Sequence, residues 1–511
     1  MFYIARLINP NERHSQQKTD NSIQNGNVSC FIGSIKMNTL IKALQNTALT
    51  ENGAMTNAST LNKVLDFFFH GAALRREADE ARIISLFDEA YAQDPLRTLK
   101  IMFYIRDVRM GQGERRVFRI LLAALAKKNP EWVKSNVALA AEYGRWDDLL
   151  PLLNCDETAG TVAELLHARL RQDLENLASG TQVSLLAKWM PSENTSSEVA
   201  VGYAKKFRKL AKMDSKEYRK SLSRLRAHLH IVENNMRERD YVGINYSQLP
   251  ALAFSKHTKA FRRNDKARLE EFLAQVRRGE RKINASVLYP YDILRHVLAG
   301  DAGADEQWAA LPDYVPEING LVVYDTSGSM AGLPVLISTS LAIYVAERNK
   351  SSVWKNCVIP FSSKAYFKKV PDGSLAQKCS GIHTGDCSST NLQAVFDLIL
   401  CTAVKAHCPA EEMPKTLLVI SDMEFNAVGF GLTNYDVIKA KYADAGYALP
   451  KVVWWNVESR NNQTPIIKND SGLLLSGASA AMLTVALSGD FSVEEAMDAV
   501  IMQERYEVIQ L

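Results

Sequence analysis

The spacing of apolar residues changes once along this 511-residue chain, near residue 301, and no other feature limits the fold as strongly. From about 60 to 300 the period is helical. Leu61, Val64, Leu65 and Phe68 fall on one stripe, and Ile83, Leu86, Phe87 and Ala90 repeat it. Asp94-Pro95 restarts the chain at a plausible first helical turn, and Gly111-Gln112-Gly113 breaks it again. Further helices are predicted at 131–143, 146–153, 161–178, 183–190, 197–212, 215–231, 265–278 and 288–299. No motif recurs at a fixed period, so this part reads as an all-α, irregular HEAT-like array. After 301, short β-branched runs at 318–324, 357–361, 416–421, 452–457 and 473–475 alternate with helices at 333–348, 391–405, 435–444 and 492–504. That alternation predicts a doubly wound, Rossmann-like α/β domain on a parallel sheet. The expected division is a polar, dispensable tail at 1–36, a helical domain at 37–301 and an α/β domain at 302–511. Met37 is the expected start of the working chain.

Charge is segregated along the chain. The total is +4, yet residues 205–282 hold 22 Lys and Arg against 9 Asp and Glu, so this stretch carries +13 and the remainder −9. Lys205, Lys206, Arg208, Lys209, Arg219, Lys220, Arg262, Arg263, Arg277 and Arg278 stand in pairs there. Phe207, Tyr218, Tyr241, Phe254 and Phe261 lie between them. Basic pairs neutralise phosphates, and exposed aromatics stack on unpaired bases. For the aromatics taken singly, core packing is the favoured reading. Contact with RNA, structured or with single-stranded ends, is the expectation for the basic group as a whole. No DNA specificity is inferred. Arg106, Arg109, Arg115, Arg116 and Arg119 form a smaller basic group around the glycine break.

The α/β region opens on Tyr324-Asp325-Thr326-Ser327-Gly328-Ser329, directly after its first strand. Ligands of doubly wound sheets bind at the carboxyl ends of strands. A carboxylate and two hydroxyls from one tight turn suit a hard divalent cation such as Mg²⁺. Thr390, before a helix, and Asp422, after the strand 416–421, add oxygen donors. Glu424 reads as a solvated loop acid rather than a further member of the site.

These three pieces, in this order, resemble the von Willebrand factor A domain and its metal-ion-dependent adhesion site. The resemblance implies that Ser327, Ser329 and Thr390 ligate the ion directly. It also implies that Asp325 and Asp422 act through water, and that a partner's carboxylate takes an open position. In the helical half, residues 65–69 (LDFFF), 105–118 (IRDVRMGQGERRVF), 143–149 (YGRWDDL), 184–192 (SLLAKWMPS) and 218–226 (YRKSLSRLR), with 454–457 (WWNV), look like a family that fuses a TROVE-like helical module to such a domain. More distantly the chain is similar to Ro-type ribonucleoproteins. Those close a helical ring on the A domain and bind RNA in its hole and on its basic outer face. The resemblance implies a non-enzymatic RNA-binding scaffold. The alternative is a protein-interaction module, an adaptor or co-chaperone, that captures an acidic partner residue through the metal.

Enzyme readings find little support. The chain has no G-x-S-x-G, no H-E-x-x-H and no phosphate-loop G-K-[ST]. One hydroxyl-rich site without a second metal or an evident base argues against a metal-dependent hydrolase. Seven cysteines without a C-x-x-C suit free thiols in a reducing compartment, and no apolar run is long enough to span a membrane. A cytoplasmic protein is expected.

Overall fold

The structure, a computed structural model, describes residues 46–511 apart from 230, 316–318, 362–364, 385–389, 428–433, 469 and 487–490. The expected tail at 1–36, the start at Met37 and Cys387 lie outside the described residues. The described part begins with a hairpin of β1 (Thr47–Leu49) and β2 (Met55–Asn57), joined through Thr50-Glu51-Asn52-Gly53-Ala54. Gly53 takes φ +81°, the left-handed conformation that an Asn-Gly turn supplies.

Helices follow, started by local capping. The Asn62 carboxamide accepts the Val64 N–H at 3.0 Å and the Leu65 N–H at 3.3 Å, which starts the helix Lys63–Gly71. Asp94 ends the helix Glu80–Gln93 and caps Pro95–Arg106, whose proline sits in the first turn. Phe67, Phe69, Phe87, Phe103 and Phe118 are buried among these helices. The predicted helix at 146–153 is a 3₁₀ stretch, Trp146–Asn154, with Pro151 inside it. The one at 183–190 shrinks to Leu186–Trp189. Residues from Val232 to Ile283 gather a second, separate apolar core around Tyr246, Phe254, Phe261 and Phe272.

After residue 319 the chain forms a six-stranded mixed sheet flanked by helices. Its strands are β3 (Gly320–Asp325), β4 (Cys357–Phe361), β5 (Lys368–Lys369), β6 (Thr416–Ser421), β7 (Lys451–Asn456) and β8 (Leu473–Ser476), in the order β5-β4-β3-β6-β7-β8. All pairs are parallel except β4–β5, so the expected all-parallel sheet carries one short antiparallel edge strand. Every residue of β3 is buried, as a central strand covered on both faces requires. From β3 the chain first builds outward to β4 and β5, then returns to β6 on the other side. The carboxyl ends of β3 and β6 therefore flank the point where the winding reverses.

The helical segment meets the sheet domain at both of its ends. Near its start, Asn62 donates to Glu494 at 2.7 Å, and Arg97 forks onto Asp498 at 2.9 and 2.7 Å. Near its end, Trp308 donates to Glu347 at 2.7 Å. Tyr289 also reaches back to the Gly111 carbonyl at 3.4 Å, so the end of the segment touches its glycine break. The glycine break is a docking element. Gln112, buried, accepts the N–H groups of Ala478 (3.0 Å) and Ser479 (3.2 Å) and donates to Tyr104 at 2.6 Å. A Cβ at Gly111 would fall 2.0 Å from the Tyr104 carbonyl oxygen, which explains the glycine. The five described cysteines are free. Among the described residues no helix is long and apolar enough to cross a membrane.

Candidate functional site

Strand β3 ends by burying Asp325 completely. Its Oδ1 accepts the Ser327 N–H at 2.8 Å, its Oδ2 accepts the Ser421 hydroxyl at 2.6 Å, and its carbonyl accepts the Ser338 hydroxyl at 2.8 Å. These bonds fold residues 325–329 into a tight turn in which the Ser327 and Ser329 hydroxyls lie 3.0 Å apart. Asp422, one residue past β6, is also buried. The Ser329 hydroxyl and the Glu424 N–H hold it, the latter at 3.2 Å on Oδ1. Burial, reinforced by the neighbouring Asp422, pushes the Asp325 carboxyl well above its ordinary range; burial also raises that of Asp422.

Asp325, Ser327, Ser329 and Asp422 thus form one cluster at the winding reversal, where such sheets bind ligands. Thr390 joins it through intermediaries. Its buried hydroxyl accepts from Asn52 at 3.3 Å, and its carbonyl accepts the Asn426 N–H at 3.0 Å. The donor set suits a hard cation, since every candidate atom is a carboxylate or hydroxyl oxygen. Asp422 Oδ2 is compatible with the fit: among the described residues it is buried and accepts no hydrogen bond, and its one nearby positive charge is the Arg460 guanidinium at 3.4 Å, which leaves room for a cation or water to satisfy it. Among the described residues no three His, Cys, Asp or Glu side chains gather as a metal cage, so an ion here depends on the serine and threonine hydroxyls.

Glu424 is not a solvated loop acid. It is buried, its Oε1 accepts from Asn461 (3.0 Å) and Gln463 (2.8 Å), and its Oε2 accepts the Glu51 N–H at 2.6 Å. The carboxylate fastens two distant segments to the rim of the site. One is the hairpin turn, whose Thr50 hydroxyl donates to the Phe425 carbonyl at 2.6 Å and whose Asn52 donates to the Glu424 carbonyl at 2.6 Å. The other is the loop after β7. Its Arg460 donates to the Ser329 carbonyl at 3.1 Å, stands 3.4 Å from Asp422 Oδ2 and pairs with Glu51 at 3.1 Å. Arg82 holds this loop to the helical segment, donating to the Ser459 carbonyl (3.0 Å), the Ser459 hydroxyl (2.9 Å), the Asn461 carbonyl (2.7 Å) and the Asn462 side chain (2.9 Å). Sequence reading missed Glu51, Asn52 and Arg460. Asn52-Gly53 is a hairpin signal, whereas nothing local marks Arg460.

Two family models match the chain. A domain of unknown function (DUF2828) matches residues 50–158 and 193–318, and another domain of unknown function (DUF7788) matches residues 319–509. Neither is a TROVE, von Willebrand A or Ro model. The chain is also similar to "Uncharacterized protein L728" of Acanthamoeba polyphaga mimivirus. The two are 29% identical over 493 residues, spanning 88% of this chain and 86% of that one. The similarity therefore runs through both the helical segment and the sheet domain.

The basic segment divides on inspection. Arg208 pairs with Glu193 at 2.6 Å, Arg277 with Glu306 at 2.6 Å, and Arg278 with Glu280 at 2.6 Å and Glu271 at 3.3 Å. Lys205, Lys206, Lys209, Arg219, Lys220, Arg262 and Arg263 form no ion pair among the described residues, and all but the half-buried Lys206 are exposed. Phe207, Tyr218, Phe254 and Phe261 are buried and pack on one another or on Tyr246, so they offer no face to a base. In the smaller group, Arg106 and Arg119 hold Asp148, Arg109 pairs with Glu142 and Arg116 faces Glu80, so those charges are largely neutralised internally.

Proposed function

We propose that the protein is a non-enzymatic RNA-binding scaffold of the Ro type, with a TROVE-like helical segment and a von Willebrand A-like domain carrying a Mg²⁺ site. The observation that supports RNA contact is the set of unpaired, exposed basic side chains on the helices Glu198–Leu210, Ser215–His228 and Ala251–Asn264. With Phe207, Tyr218, Phe254 and Phe261 buried and Tyr241 half-buried, affinity rests on phosphate neutralisation and is therefore strongly salt-dependent. Replacing Lys205, Lys209, Lys220 and Arg263 together by Gln is expected to weaken binding of a single-stranded RNA more than about tenfold at physiological salt and to flatten the log–log salt dependence. Filter binding over a salt series measures both. Unchanged affinity and slope would exclude this surface.

A second reading is favoured by Asp422 Oδ2, which accepts no hydrogen bond and lies beside the clustered serine hydroxyls: capture of an acidic protein partner through the ion. Ser327→Ala and EDTA are then expected to deplete the same set of co-purifying proteins. A set indifferent to both would remove that role.

A further inference from the structure

The cation reading leaves Arg460 unexplained. Its guanidinium is a third exposed, yet it stands against a carboxylate whose side chain is wholly buried. Its polar partners include the Ser329 carbonyl, Asp422 Oδ2 and Glu51 Oε2, so two of them belong to residues of the candidate metal site and one is a candidate ligand atom. Asp325 and Asp422 are two carboxyl groups buried in one cluster, of like charge when both are ionised. Without a cation close to them, such a pair is unfavourable. A guanidinium and a hydrated divalent ion can each supply the missing positive charge, but not together. Both need Asp422, and +1 and +2 charges a few ångströms apart repel strongly where burial lowers the effective dielectric constant.

We propose that Arg460 is an internal counter-cation of this site, and that it and the divalent ion exclude one another at Asp422. The inference rests on the cation reading and adds a control to it. Ion binding displaces the guanidinium from Asp422 and the Ser329 carbonyl. Because Arg460 also pairs with Glu51, the displacement is felt by the hairpin turn of the helical segment. The ion state of the sheet domain is thereby coupled to a contact with the other half of the chain.

Titration of the full-length protein with Mn²⁺ alone, followed by calorimetry, tests this. Arg460→Met and Arg460→Gln are both expected to bind Mn²⁺ about tenfold more tightly than the wild type, the order of one removed charge–charge contact at a partly exposed site. Arg460→Lys keeps the charge and is expected to stay near the wild type. A residue that merely shapes the loop would give the opposite sign, with weaker binding on removal. Equal or weaker binding by the Met and Gln variants, with measurable binding by the wild type, would overturn the counter-cation role and leave the cation site standing. Absence of Mn²⁺ binding in every variant would overturn both. Two neutral replacements guard against one that fails to fold.

Discussion

Asp148→Ala is expected to lower folding stability by about 3–5 kcal/mol, the usual consequence of removing one partner of a buried ion pair. Asp148 is completely buried. Its carboxylate accepts from Arg106 Nε at 2.8 Å, from Arg119 Nε at 2.7 Å and from the Arg145 N–H at 2.9 Å. Arg106 is itself among the largest fully buried side chains. With the carboxylate gone, that guanidinium keeps its desolvation cost and loses its counter-charge. Replacing both Arg106 and Asp148, by Met and Leu, is expected to be milder than Asp148→Ala alone, because no charge is then stranded beyond the partly exposed Arg119. Urea unfolding of the three proteins checks the order. A double variant less stable than the single one would refute the account.

Acid is expected to destabilise the protein through His70. The ring is wholly buried on the helix Lys63–Gly71, with Nδ1 at 2.8 Å from the Ser459 hydroxyl. Burial, aided by the nearby Arg82 charge, pushes its pKa down to about 3 from the ordinary 6.5. Between those values the unfolded chain binds a proton that the folded protein refuses. The stability is therefore complete above the unfolded value and falls as pH drops through the window from 6.5 toward 3. One proton corresponds to a slope of about 1.4 kcal/mol per pH unit. His70→Gln is expected to remove that slope, so the two proteins' denaturation midpoints should diverge between pH 7 and 4. Parallel curves would show that His70 is not the group responsible.

Much of the sheet domain was legible because its signals are local. Strands β4 and β6 begin and end where their β-branched runs do, and the helix Leu333–Arg348 matches its apolar pattern. Asp325, Ser327, Ser329 and Asp422 were readable because strand ends are where a doubly wound sheet places its ligands. The role of Glu424 was not readable. Its burial depends on Glu51, Asn461 and Gln463, which arrive from other parts of the chain. The same holds for the basic segment. A charge count sees Arg208 and Lys209 alike, and only the fold reveals that Glu193 takes the first and leaves the second. The aromatics there follow amphipathic spacing into two cores, which favoured packing over stacking from the start.

The hairpin turn at residues 50–53 is held by partners 372 to 375 positions further along the chain. During synthesis those partners emerge long after the turn itself, so the rim of the site cannot close while the ribosome is still making the helical segment. Loop-closure entropy adds to the delay, since the ends of so long an intervening segment must find one another. The site is therefore expected to mature only after the strand Thr416–Ser421 and the residues that follow it have been made. A truncated nascent chain would present a helical array whose first strands have nothing to dock against.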